Sequence, residues 1–77
     1  MRQVTLYTRA GCHLCEAARE ALVFARRRVE FTLEVVDIDG DDELRRRYDD
    51  EVPVVAIDGH TVFRGAVDVE EFLNRVK

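Results

Sequence analysis

The stretch that decides the fold is Val4–Cys15, which reads V-T-L-Y-T-R-A-G-C-H-L-C. Its first part belongs to a strand, because Gln3–Thr8 is mostly β-branched or aromatic. Arg9-Ala10-Gly11 breaks that strand, and Gly11 permits a tight turn. From about Cys12 to Arg28 the spacing becomes helical. Leu14, Ala18, Ala21, Leu22 and Ala25 recur at the intervals of one apolar helix face. Glu16 in the first turn and the arginines of the last turn suit the helix dipole. Cys12 and Cys15 therefore stand where a strand turns into a helix.

Phe31–Ile38 predicts a second strand, ended by Asp39-Gly40. Asp41-Asp42-Glu43 opens a short helix to about Tyr48, acidic residues first and arginines last. Val54–Ile57 is an unbroken apolar run that fits a buried strand. Asp58-Gly59 is a two-residue hairpin signal, and His60–Phe63 returns from it. Asp68 caps a last helix, with Glu71 placed to complete a capping box. Val69, Phe72, Leu73 and Val76 form that helix's apolar face. The order is β-α-β-α-β-β-α. The first crossover is long enough for parallel strands, and the last two strands form a hairpin. A four-stranded mixed sheet with three helices, an α/β fold in a single domain over residues 1–77, is the compact solution.

Composition narrows the function. The 77 residues carry a net charge of −4, and a nucleic-acid binder would normally show a basic face. No run approaches the roughly 20 apolar residues of a membrane span. The start lacks the basic-then-apolar pattern of an export signal, so a cytoplasmic location is expected. The triplets Arg26-Arg27-Arg28 and Arg45-Arg46-Arg47 fall at helix ends, where cations complement the dipole.

The two cysteines carry the chemistry. A secreted disulfide scaffold normally has four or more; two in C-x-x-C spacing point to redox chemistry or metal binding in a reducing compartment. Free N–H groups at a helix start stabilise a thiolate. Cys12 lies there, whereas Cys15 is one turn further in and less exposed. Residues three apart on a helix have Cβ atoms about 5–6 Å apart, which suits a disulfide. Cys12 is the predicted nucleophile and Cys15 the resolving thiol. A zinc half-site, an iron–sulfur cluster shared between chains and a purely structural pair are the alternatives. Zinc needs four ligands, and only His13 and His60 could add soft donors. His13 is expected as a solvated helix-start residue and His60 on a surface strand.

Val4–Cys15, together with Glu51–Gly59 (E-V-P-V-V-A-I-D-G), resembles the glutaredoxin branch of the thioredoxin superfamily. The Cys-His-Leu-Cys version is similar to short bacterial glutaredoxin-like proteins, and the likeness covers nearly the whole chain. It implies a thioredoxin-like fold and a small thiol–disulfide oxidoreductase. It further implies a cis Val52–Pro53 bond beside the cysteines, with Val52 and Pro53 forming a platform for an extended substrate.

The resemblance also implies glutathione as co-substrate. Arg9 takes the place of a basic residue facing a glutathione carboxylate, and Arg47 would add a second such contact. Asp68 lies near the acidic pair that meets the glutathione amine. Other positions depart from the family pattern. Arg64-Gly65 stands where Gly-Gly is usual, Val67 replaces the first acid of the pair, and Val52 stands where Thr is common. Arg64 would crowd the groove or replace a lost charge contact. The expected partners are a disulfide-bearing protein or glutathione, with glutathione or a reductase supplying electrons, and the expected state is a monomer. The rival functions are a redoxin recycled by thioredoxin reductase, and a non-catalytic carrier or adaptor.

Overall fold

The computed structural model describes residues 1–77. Its elements are β1 (Arg2–Thr8), α1 (His13–Arg26), β2 (Phe31–Asp37), a 3-10 turn (Ile38–Gly40), α2 (Asp42–Tyr48), β3 (Val54–Ile57), β4 (His60–Arg64) and α3 (Val69–Val76). The strands form one mixed sheet in the spatial order β2-β1-β3-β4. The β1–β2 pair is parallel, spanned by α1, whereas β3 runs antiparallel to both β1 and β4. This is the predicted element order and sheet. Asp58 and Gly59 make the β3–β4 turn with φ of 51° and 86°. Positive φ at both central residues is what a tight hairpin turn requires, and a glycine supplies one of them without strain. Asp58 also ties the hairpin tip to β1, since its carboxylate accepts the Gln3 N–H at 2.9 Å and pairs with Arg2.

Alternation along the central strands divides the core in two. On one face Val4, Leu6, Val55 and Ile57 pack with Leu22 and Ala25 of α1 and with Phe72 and Val76 of α3. On the other face Val54 packs with Ile38 and Tyr48, flanked by Tyr7, Leu44 and Val52. All four residues of β3 are buried, as its uninterrupted apolar run predicted. Phe72 is fully buried against the edge of Phe31, with ring centroids 5.3 Å apart. Burying a side chain of that size contributes about 1.5–3 kcal/mol, so α3 is held chiefly by this anchor.

Four local readings need correction. The buried stripe of α1 is Cys15, Ala18, Leu22 and Ala25, while Leu14 is 57% exposed. One residue is a turn of about 100° on a helix, so a stripe centred on Cys15 carries Leu14 off the sheet. The helix ends at Arg26 because the amides of Arg28 and Val29 both bond to the Ala25 carbonyl. Ile38 leaves β2 for the 3-10 turn, whose Asp39 N–H bonds to the Asp37 carboxylate. Asp68 caps α3 through the Glu71 N–H, but the Glu71 carboxylate reaches forward to Arg75 at 2.9 Å instead of closing a capping box. The i,i+4 ion pair competes for the same side chain.

Candidate active site

The site grows out of the end of β1. After Thr8 the chain passes through Gly11, whose φ is 78°, and reaches Cys12 in an extended conformation as the N-cap of α1. The first helical hydrogen bond runs from the Glu16 N–H to the Cys12 carbonyl at 3.2 Å. The Cys12 sulfur does what a capping serine oxygen would do, accepting the Cys15 N–H at 3.2 Å. It thereby satisfies one of the free donors of the helix start.

The two thiols, both free, sit in different surroundings. Cys12 is half-buried at the surface, and Cys15 is only 3% exposed. Burial raises the Cys15 pKa, because a thiolate there would lose its hydration. The neighbouring Cys12 raises it further, whereas the Thr8 side chain and the Arg9 backbone N–H act in the opposite direction. His13 and Leu14, between the cysteines, are both exposed. No group of three or more His, Cys, Asp or Glu side chains is placed to share a metal ion.

A cavity of about 330 Å³ opens beside the sulfurs. The loop 8–12, both cysteines, Glu16 and Arg19 of α1, and Val35 and Asp37 of β2 line it. Arg19 and Glu16 were not singled out from the sequence as site residues, although their helical intervals of seven and four residues from Cys12 are the signal that could have found them. Val35 and Asp37 carry no such signal, because only the parallel register, with Thr8 opposite Asp37, brings them there.

The residues assigned to substrate binding separate into distinct surroundings. Arg9 lines the cavity, but its guanidinium is already engaged. It grips Asp39 side-on, with nitrogens 2.8 and 3.2 Å from the two carboxylate oxygens, and donates to the Asp49 carboxylate at 3.0 Å and the Asp49 carbonyl at 3.1 Å. These acids hold Arg9 firmly protonated, and Arg9 in turn lowers the Asp39 pKa. Arg47 lies over the Tyr48 ring, 5.8 Å from its centroid.

Val52 and Pro53 join through a cis peptide just before β3. With Tyr7 opposite Val54, the register carries Pro53 level with Thr8, at the same end of the sheet as the cysteine loop. The Gly65 N–H donates to the Pro53 carbonyl at 2.8 Å, and Arg64 is paired with Glu51. Asp68 serves as the cap of α3. None of Val52, Pro53, Arg64, Gly65 or Asp68 lines the cavity beside the sulfurs.

Comparison with known proteins bears on this arrangement. A family model described as a glutaredoxin-like domain (DUF836) matches residues 3–77. The chain is 37% identical over 62 residues to the uncharacterized protein Rv0508 of Mycobacterium tuberculosis, covering 74% of this chain and 64% of that protein. The match thus spans a little under two thirds of that relative's length. Protein Ne2328 from Nitrosomonas europaea, solved in solution, superposes with a TM-score of 0.85 at 32% identity, covering 99% of this chain and 92% of that one. A mutant thioredoxin from Halobacterium salinarum superposes with a TM-score of 0.76 at 16% identity, covering 97% of this chain and 71% of its own, a likeness of fold alone. The fold is thioredoxin-like.

Proposed function

This chain belongs to the glutaredoxin-like domain family, and from that premise we propose that it is a thiol–disulfide oxidoreductase acting through Cys12 and Cys15. The observation that carries the reading is the inequality of the two sulfurs. One caps a helix at the surface; the other lies buried three residues further on. A thiolate on Cys12 attacks one sulfur of a substrate disulfide. A bond from Cys12 to that sulfur forms, the substrate S–S bond breaks, and the departing thiolate takes a proton from water. Cys15 then gives up its proton and attacks the Cys12 sulfur. The mixed disulfide breaks, the second substrate thiol leaves, and a Cys12–Cys15 disulfide remains. Two electrons have passed from the dithiol to the substrate.

An external thiol, such as glutathione, or a reductase dithiol returns the two electrons. The occupied guanidinium of Arg9 favours the reductase, because the first of the two cations that the resemblance offered to a glutathione carboxylate is already held by Asp39 and Asp49, while Arg47 lies over the Tyr48 ring with no acidic partner. A carboxylate arriving at Arg9 must displace one of those acids. The test is reduction of bis(2-hydroxyethyl) disulfide driven separately by glutathione with its reductase and by thioredoxin reductase. Turnover with thioredoxin reductase alone supports the redoxin form of the reading. Turnover with glutathione alone supports the glutaredoxin form, and turnover with neither rejects the activity.

A further inference from the structure

The outer face of α1 carries a second hollow of about 390 Å³, formed by Arg19, Glu20, Val23, Phe24 and Arg27. Arg19 also lines the cavity beside Cys12, so the two hollows adjoin at that side chain. Val23 and Phe24 are among the few large apolar side chains left exposed, at 50% and 45%. The Arg28 guanidinium stands over Phe24, 5.0 Å from its ring centroid. The ion pairs of the fold use Arg2, Arg9, Arg45, Arg64 and Arg75. Arg19, Arg27 and Arg28 therefore have no acidic partner. Around Phe24 these three arginines face the single carboxylate of Glu20, a local surplus of two positive charges on a chain whose net charge is −4, whereas the carboxylates of Glu16 and Asp37 lie at the adjoining cavity beside Cys12.

We propose that this face is the docking surface for a redox-partner protein whose disulfide is followed by an acidic segment with one apolar anchor. The inference rests on the oxidoreductase reading and adds the kind of partner. The anchor enters between Val23 and Phe24, and its flanking carboxylates meet Arg19 and Arg27. Twelve residues of helix separate Cys12 from Phe24, a rise of about 18 Å. An extended segment covers that in about five or six residues. A second copy of this chain fits poorly, because a two-fold interface through this face would set its arginines against each other. Its place next to the cavity at Cys12, with Arg19 between them, favours a disulfide-bearing polypeptide over a lipid surface.

The test uses the whole chain and synthetic peptides whose single cysteine is joined to 5-thio-2-nitrobenzoate. One peptide carries a leucine about six residues from the cysteine, flanked by glutamates; a second carries lysines instead; a third is the bare Cys-Gly adduct. Each rate is divided by the same variant's rate on Cys-Gly. The expected preference for the acidic peptide over the lysine peptide is about tenfold in kcat/KM, carried by KM and weakened by salt. It collapses or inverts in Arg27→Glu, is reduced in Phe24→Ser, and persists in Arg46→Glu, which makes the same charge change on α2. Equal rates for the charged peptides, or a preference that survives Arg27→Glu, overturn the proposal. So does a dimer dispersed by Phe24→Ser, or binding to phosphatidylserine vesicles without peptide preference. If no adduct is reduced, the oxidoreductase reading fails. If all three are reduced alike, only the docking surface fails.

Discussion

Arg9 and Asp39 are joined by two parallel hydrogen bonds, of 2.8 and 3.2 Å, between the cysteine loop and the 3-10 turn that follows β2. The same guanidinium reaches Asp49 at the end of α2. Three segments that meet only through the fold are thus clamped beside the candidate site. Side-on geometry of this kind gives direction as well as attraction.

Loosening that clamp is expected to affect chemistry more than stability, because the ion pair remains partly open to solvent, its side chains 29% and 41% exposed. Arg9→Gln should slow reaction with a small aromatic disulfide several-fold while moving the melting temperature little. Stopped-flow absorbance and a thermal melt check this. A large loss of stability with unchanged reactivity would make Arg9 a purely structural residue.

The inequality of the sulfurs predicts an order of labelling. At neutral pH iodoacetamide should modify Cys12 at least about tenfold faster than Cys15, because Cys15 is both buried and held as the thiol. Peptide mapping after brief exposure reads the ratio. Comparable labelling of the two would remove the basis for their separate roles.

Cys12→Ser should abolish turnover, whereas Cys15→Ser should stop after the first exchange and accumulate a mixed disulfide on Cys12. Intact-mass spectrometry after mixing with a peptide disulfide distinguishes them. An adduct on Cys15 in the Cys12→Ser protein, formed as fast as in the parent, would reverse the assignment.

Stability of the reduced protein should depend on alkaline pH through Cys15. Its folded pKa is raised, so below the unfolded value of about 8.5 both states are protonated and stability is flat. Above it the unfolded chain ionises first, and stability falls as pH rises towards the folded pKa. At the acid end the sign is opposite for Asp58, whose pKa is lowered first by the Gln3 N–H and then by Arg2. Its contribution is present above the unfolded value of about 3.9 and is lost as pH falls through the folded pKa. Urea titrations of the parent, of Cys15→Ala and of Asp58→Asn should show each slope flattened in the matching variant.

Phe72→Ala should cost about 3–5 kcal/mol, since it empties a fully buried site where α3 meets the sheet. Chemical denaturation measures it. A cost below about 1 kcal/mol would mean that α3 is not anchored by this side chain.

Much of this molecule follows from residues that are neighbours along the chain. The turn of Asp58 and Gly59, the cap of Asp68 and the position of Cys12 at a helix start each depend on a few adjacent residues, so each was legible in order. The same holds for the four buried residues of β3. What the tertiary structure alone decided lies across long separations. Arg9 finds partners 30 and 40 residues away, a choice set by where the 3-10 turn and α2 come to rest. Leu14 is turned outward because packing on Leu22 and Ala25 fixes the rotation of α1. The cavity at Cys12 faces β2 because the parallel register puts Asp37 beside Thr8. Local propensity and capping act over a turn or less, while the partners of a long charged side chain depend on which distant segments the core draws together.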